Sequence, residues 1–197
     1  MGIVQKTQRW WHELLLDGDK LNRWLIRLYK NEYDAYHRFN DFAIKYCEQY
    51  DEHWYLFKFL GSQELRHAGM VLDLMEARKV VMELYIEDSY VPTEVPQHYK
   101  PRPERYWDCV LPCIKDLSTA AGVGALAEGL SLERMRVIIS DPNTPNDIRV
   151  LFEGIEPDEG VHAKVLGVLA GRHGISSVID CHSAGLEALG LKLKGEN

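Results

Sequence analysis

Four long stretches of this chain carry apolar residues at the three- and four-residue spacing of an α-helix, and this pattern limits the fold more than any other feature. The stretches cover about 21–50, 54–84, 107–139 and 145–172. A shorter amphipathic stretch, at about 176–189, predicts an extra helix near the C-terminus. No stretch of the sequence shows a convincing strand pattern. The sequence therefore predicts an all-α fold.

The connections between these stretches differ in length. The motifs "QYDEH" and "SDPNTPND" are short breaks that join the first stretch to the second and the third to the fourth. The connection at 85–105 is long, contains four prolines and lacks helical periodicity. Two hairpins joined by one long crossover predict a four-helix bundle with its core at about 20–172. We therefore expect residues 1–197 to form a single domain.

Composition excludes several classes of partner. The net charge of −7 and the lack of a basic run argue against binding nucleic acid. No apolar run reaches the roughly 18 residues of a membrane helix, and charges interrupt the N-terminal apolar stretch, unlike a signal peptide. The four cysteines form no CxxC pair and are interpreted as reduced thiols, which predicts a cytoplasmic protein. Cys109 and Cys113 are four residues apart and share a helical face. They are interpreted either as packed side chains or as a pair that binds metal or undergoes redox chemistry.

Two of the predicted helices contain a Glu and a His three residues apart within an otherwise apolar pattern. The motif "QELRH" holds Glu64 and His67, and the motif "DEGVH" holds Glu159 and His162. Residues three apart lie on the same face of a helix. Each motif therefore directs one carboxylate and one imidazole toward the same side.

Each of the two preceding helices adds one Glu at an inward position. Glu32 lies 32 residues before Glu64, and Glu128 lies 31 residues before Glu159. In an antiparallel hairpin, this separation corresponds to about 16 residues on each helix, or roughly 24 Å. Each Glu is therefore predicted to meet the Glu and His of its partner helix halfway along the bundle. For any single position, the alternative is that the Glu is a carboxylate on the helix surface or that the His is a packed core residue.

Four carboxylates inside a bundle would require compensation. Their mutual repulsion and loss of hydration would cost on the order of several kcal/mol per ion, which two divalent cations would offset. Six carboxylate and imidazole ligands suit iron or manganese better than zinc, which prefers four ligands in structural sites. The sequence therefore predicts two metal ions held by Glu32, Glu64, His67, Glu128, Glu159 and His162.

The doubled E…ExxH pattern resembles that of the ferritin-like superfamily, and the resemblance covers about residues 20–172. It implies a ferritin-like four-helix bundle with one long crossover, and two iron ions bound by these six residues. The amphipathic stretch at about 176–189 adds a short extra C-terminal helix to this bundle. Manganese or a mixed manganese–iron pair is the alternative. The resemblance also implies that Glu64 and Glu159 are the bridging carboxylates.

The motif "QELRH" is similar to the "DExRH" run of bacterial multicomponent monooxygenases, with Gln63 in place of the Asp. In those relatives, the residue before the Glu accepts a hydrogen bond from a ligand histidine on the opposite helix. The resemblance implies that Asp158 orients His67 in this way, and that Gln63 does so more weakly for the other ligand histidine. Arg66 either pairs with Asp158 or lies on an exposed helix face.

Small stand-alone di-iron oxygenases are the members closest in kind, because the chain lacks a rubredoxin module and is short. The resemblance implies an enzyme that activates O₂ to oxidise a small organic substrate, with electrons from an external reductase. One alternative is rubrerythrin-like peroxide reduction or ferroxidase activity. Another is a non-enzymatic bundle that binds metal or a partner. An exposed apolar face on the first helix would indicate a homodimer.

Two further features lie close to the predicted ligands in sequence. Ala121, Gly124 and Ala125 occupy the inward face of the third helix shortly before Glu128. These small residues either allow close packing between helices or line a pocket for O₂ and an organic substrate. Tyr36 lies one turn after Glu32. It is interpreted either as a redox-active or hydrogen-bonding phenol near the metal site or as a core residue.

Overall fold

The computed structural model describes residues 2–81 and 102–191, excluding the side chains of residues 102–105. Within these ranges the chain is helical with no strand, so the all-α prediction is confirmed there. The helices are α1 (Ile3–Leu15), α2 (Gly18–Tyr46), α3 (Glu52–Ala77), α4 (Arg102–Val110), α5 (Leu117–Ser140) and α6 (Asn146–Ala188), with a short 3-10 helix at Leu111–Cys113. Most of the predicted long connection, residues 85–101, lies outside the described residues.

The chain divides into two compact units. The α2–α3 unit runs from His12 through α3 and includes Thr144–Leu151. The α5–α6 unit contains the residues up to Trp11, α4, α5 as far as Asn143, and the chain from Phe152 onward. The single-domain bundle with its core at 20–172 stays a prediction.

Helices α2 and α3 form a hairpin whose ends are set by local sequence signals. The side chain of Asp17 caps α2 by accepting a hydrogen bond from the backbone N–H of Lys20. Asp51 caps α3 in the same way, through the backbone N–H of Trp54 at 2.6 Å. Below the turn, the Phe57 ring packs against aromatic rings of α2 at centroid distances of 6.0–6.1 Å.

Helix α1 was not predicted. Its strongest contribution to the core is Trp11, which is fully buried, and Leu14 and Thr7 are buried beside it along the helix. These three residues recur at spacings of three and four, the same signal that identified the longer helices. The predicted helices begin only at Leu21, so this helix was missed.

The third predicted helix is divided in the structure. It was expected from about Trp107, with regular geometry after Pro112, but α4 ends at Val110 and the 3-10 helix contains Pro112. The proline has no N–H to donate to the preceding turn, so the α-helical hydrogen-bond pattern stops here. Helix α5 then begins after Asp116.

The start of α5 is fixed by a reciprocal cap. The Asp116 side chain accepts a hydrogen bond from the Thr119 backbone N–H at 2.8 Å, and the Thr119 hydroxyl accepts one from the Asp116 backbone N–H at 3.0 Å. Two backbone donors at the helix end are thereby satisfied. The cap fixes where α5 begins, and hence which of its residues face inward.

Helix α6 is interrupted at Gly171, where φ is 59° and ψ is −174°. The predicted helix end lies two or three residues later, at His173 and Gly174. Gly171 reaches this backbone geometry without a side-chain clash. The Ser118 hydroxyl donates a 2.7 Å hydrogen bond to the carbonyl of Ala170, just before the interruption. A helical segment continues from there to Ala188.

A disulfide joins Cys113 to Cys181 within the α5–α6 unit, whereas Cys47 and Cys109 are free. The prediction of four reduced cysteines is therefore wrong for this pair. The two partners are 68 positions apart, with Cα atoms 6.7 Å apart, so no local spacing indicated the bond. The cysteines therefore do not support the predicted cytoplasmic location, which stays a prediction.

Within the described ranges, no helix has the length and hydropathy needed to cross a membrane.

Candidate metal centre

The α2–α3 unit gathers a triad of Glu32, Glu64 and His67. Each of these residues offers one ligand atom within 4.8 Å of the others, and their exposed fractions are 7%, 1% and 0%. Glu32 projects from α2, while Glu64 and His67 lie one turn apart on α3. The predicted meeting of the three side chains halfway along a helical hairpin is therefore observed.

The Nδ1 atom of His67 is directed at both carboxylates. It lies 3.8 Å from an Oε2 of Glu32 and 3.7 Å from an Oε2 of Glu64, longer than a normal hydrogen bond. Two ligand atoms that each bind one ion at about 2.1 Å are separated by roughly 3–4 Å. The spacing of this triad therefore fits a shared metal ion.

The electrostatics of Glu32 also fit a cation. Burial raises the pKa of this carboxyl to about 8, and the negative charge of Glu64 adds to the rise, whereas the contact with His67 opposes it. Burial disfavours the ionised form because the charge loses its hydration. A divalent cation would restore the favourable interaction that the ionised carboxylate loses on burial.

The α5–α6 unit gathers the corresponding triad of Glu128, Glu159 and His162. Their ligand atoms also lie within 4.8 Å of one another. Glu159 and His162 are buried on α6, with exposed fractions of 1% and 0%, whereas Glu128 on α5 is half-buried. Carboxylate and imidazole are the donors that iron and manganese accept. Both triads are therefore Glu/His groups that could hold a metal ion, and Glu128 is the one member that is not fully buried.

The residues predicted to support the ligands have mixed environments. The Arg66 side chain is exposed, with its Nη2 atom 3.4 Å from His67 Nε2 and its Nη1 atom 3.5 Å from the sulfur of Met70. Gln63, Asp158 and Tyr36 are half-buried. The predicted pairing of Asp158 with His67 and with Arg66, and of Gln63 with His162, stays a prediction.

The predicted substrate-pocket residues lie in a closely packed part of α5. Ala121, Gly124 and Ala125 are all buried. A Cβ atom added to Gly124 would lie 2.9 Å from Cδ1 of Leu166 on α6, so this glycine provides room for the leucine. The structure thus places Gly124 against the tip of a leucine side chain, and both the packing role and the pocket stay predictions.

One aromatic residue near Glu128 was not identified from the sequence. Tyr106 is buried on α4, and burial raises the pKa of its phenol, with a further rise from the negative charge of Glu128. Its hydroxyl is 2.9 Å from Nδ1 of His182. The two residues are 76 positions apart, and Tyr106 follows the proline-rich connection, so no periodic signal marked it.

No protein-family model, curated protein or solved structure matches this chain. No match therefore confirms the resemblance to the ferritin-like superfamily, which rests on the two E…ExxH motifs of the sequence. What the structure establishes is a helical protein with buried Glu/His groups suited to binding metal.

Proposed function

We propose that this protein is a ferritin-like dimetal oxidoreductase in which each triad holds one of two iron ions. The observation that carries the proposal is the burial of three ionisable side chains at one point, Glu32, Glu64 and His67, with ligand atoms within 4.8 Å of one another. A buried charge is costly unless it is paired or coordinates a metal. The second E…ExxH motif provides an equivalent set of donors, which supports two ions per chain.

The chain's own residues would bind the two metal ions and neutralise their charge. Four carboxylates would balance the charge of two divalent ions, and the neutral imidazoles of His67 and His162 would complete the donor sets. Ferrous ions held in this way supply electrons for the activation of O₂. Manganese, or a mixed pair, would suit the same donors.

The proposed reaction needs partners that the sequence does not supply. The chain contains no flavin, haem or iron–sulfur motif, so electrons would come from an external reductase. The oxidised molecule would be a small organic substrate. Peroxide reduction and ferroxidase activity use the same metals without an organic substrate, so the experiment must separate these reactions.

Metal content of purified and iron-loaded protein, with single-ligand variants, tests the proposal. We expect about two iron ions per chain in the wild type and a lower content in Glu64→Ala and Glu159→Ala. Glu76→Ala and Glu153→Ala are matched controls, because each removes an exposed carboxylate from the same helix, and they should bind iron as the wild type does. Full two-metal content in both ligand variants would contradict the assignment.

Spectroscopy and turnover assays then separate the candidate reactions. X-ray absorption that detects an iron–iron distance below about 4 Å would support a coupled pair. Consumption of O₂ linked to oxidation of an added organic compound supports the oxygenase. Peroxide turnover alone would select the rubrerythrin-like alternative, and tightly bound metal without any redox turnover would select a structural role.

A further inference from the structure

Arg134 on α5 has a half-buried side chain whose charge is not paired with any acidic residue that the structure describes. Its guanidinium carbon lies 4.6 Å from the centre of the Trp10 ring on α1, which is a cation–π contact. Its Nε atom is enclosed and has no hydrogen-bond partner among the described residues. An enclosed donor without an acceptor costs free energy, so such a group requires an explanation.

Two acidic residues of the same unit do not neutralise Arg134. Glu133 directly precedes it, and consecutive residues of a helix do not face each other. The Glu156 carboxylate on α6 instead accepts a 2.7 Å hydrogen bond from Nε of Arg136. Burial lowers the pKa of the Arg134 guanidinium, and no acidic neighbour counters this effect. The positive charge of Arg134 is therefore available to an anion.

The outer edge of the Arg134 guanidinium remains accessible. Only its Nε atom is enclosed, whereas the side chain as a whole is half-buried, so its Nη atoms reach solvent. The contact with Trp10 holds the group against α1. A guanidinium presents parallel N–H donors along one edge, and these match the two oxygens of a carboxylate.

A groove of about 290 Å³ lies between α1 and α5 next to this contact. Val4, Leu132 and Val137 give it apolar walls, and Val137 lies one turn after Arg134. Glu133 and other polar side chains form its rim. Ligand sites combine apolar walls with a few polar groups that fix the orientation of the ligand. The groove has room for a compact apolar body of about one ring.

The charges along the groove favour a ligand with one negative charge. Arg134 offers one positive charge, while the charge of Arg136 is balanced by Glu156. Glu133 is exposed at the groove and repels anions. A doubly charged phosphate would therefore meet one available cation and one carboxylate of its own sign.

We propose that the contact between α1 and α5 binds a small organic monocarboxylate, with its carboxylate on Arg134 and its apolar body in the groove. The Nη atoms donate hydrogen bonds to the carboxylate oxygens, and the walls of the groove exclude water from the body of the ligand. None of the six predicted metal ligands takes part. The inference is therefore independent of the proposed function.

Ligand-observed NMR titrations of the whole chain at constant ionic strength test the site with four probes. Benzoate has both the charge and the body, benzamide has the body alone, acetate has the charge alone, and inorganic phosphate has a higher charge. We expect saturable binding of benzoate and none of benzamide. Acetate should bind about tenfold more weakly than benzoate, because burial of about 60 Å² of ring surface contributes roughly this factor. Equal binding of benzoate and benzamide, or tighter binding of phosphate than of benzoate, would overturn the proposal.

Substitution of Arg134 locates the bound carboxylate. Arg134→Met keeps an unbranched side chain but removes the guanidinium, and it should weaken benzoate binding by about tenfold to a hundredfold, as expected for hydrogen bonds to a charged group. Arg172→Met removes an exposed arginine of α6 and is the matched control, which should bind benzoate as the wild type does. Undiminished binding in Arg134→Met, as expected if benzoate binds a metal ion instead, would refute the site. If this variant does not fold, the comparison of benzoate with benzamide decides the question.

Discussion

Replacement of Gly122 by Ala tests the close packing within the α5–α6 unit. A Cβ atom added there would lie 2.8 Å from the carbonyl oxygen and 2.9 Å from the carbonyl carbon of Gly174, and 3.2 Å from Cγ2 of Val178. The nearest obstacle is backbone, which cannot rotate away as a side chain can. Overpacking of this kind costs about 1–3 kcal/mol, which exceeds the roughly 0.5–1 kcal/mol that Ala gains over Gly in a helix.

Two other glycines of α5 provide matched comparisons. Gly129 has no atom within 4 Å of an added Cβ, whereas Gly124 would meet only the tip of Leu166. We therefore expect Gly129→Ala to raise the free energy of unfolding by roughly 0.5–1 kcal/mol. Gly124→Ala should remain near the wild type, because the leucine tip can move.

Urea unfolding of metal-free protein, followed by circular dichroism, measures these differences. Gly122→Ala should unfold at a lower urea concentration than the wild type and Gly129→Ala at a higher one, with similar slopes. The gain of Ala over Gly is common to both variants, so their free energies of unfolding should differ by about 1–3 kcal/mol, or roughly 2–12 °C in melting temperature for a chain of this size. Equal stability of Gly122→Ala and Gly129→Ala would refute the close approach to Gly174.

Three further predictions concern metal, pH and the disulfide. Free Fe²⁺ or Mn²⁺ should raise the melting temperature, with about 1.4 kcal/mol of added stability per site for each tenfold increase above the dissociation constant; a melting temperature indifferent to metal and chelator would contradict both sites. In chelator, the free energy of unfolding should fall as the pH rises from 4.5 to about 8, because folded Glu32 keeps a proton that the unfolded carboxyl releases. Glu32→Gln should flatten this titration of stability, and an unaltered profile would show that Glu32 is not its source. Cys113→Ser opens a crosslink across 68 positions and should lower stability by about 4 kcal/mol in urea, according to the chain-entropy model. The control Cys47→Ser alters a free thiol and should match the wild type; equal unfolding of both variants would argue against the crosslink.

The α2–α3 hairpin was predictable because its signals are local. Asp17 and Asp51 cap their helices through residues three positions away, and the short turn fixes how far back the chain returns. With the turn predicted at "QYDEH", residues 49–53, the separation of Glu32 from Glu64 predicted that they meet. Local sequence signals were therefore enough to predict that the three side chains of this triad meet.

The features that escaped prediction depend on long-range contacts. Cys113 meets Cys181 across 68 positions, and Tyr106 meets His182 across 76. No periodicity or spacing encodes such pairs, because they depend on how whole helices pack. The interruption at Gly171 was misplaced for a different reason, because the local pair His173–Gly174 resembles a helix end.

The disulfide also determines what remains connected when the chain is cut. Residues 141–145 separate α5 from α6 without helical structure, and Pro142 and Asn143 are exposed there. A protease that cleaves this turn places Glu128 on one fragment and the other two ligands of its triad on the second. Because Cys113 and Cys181 lie on opposite sides of the cut, the fragments stay covalently joined. The nicked protein should migrate as one species until a thiol reductant releases two.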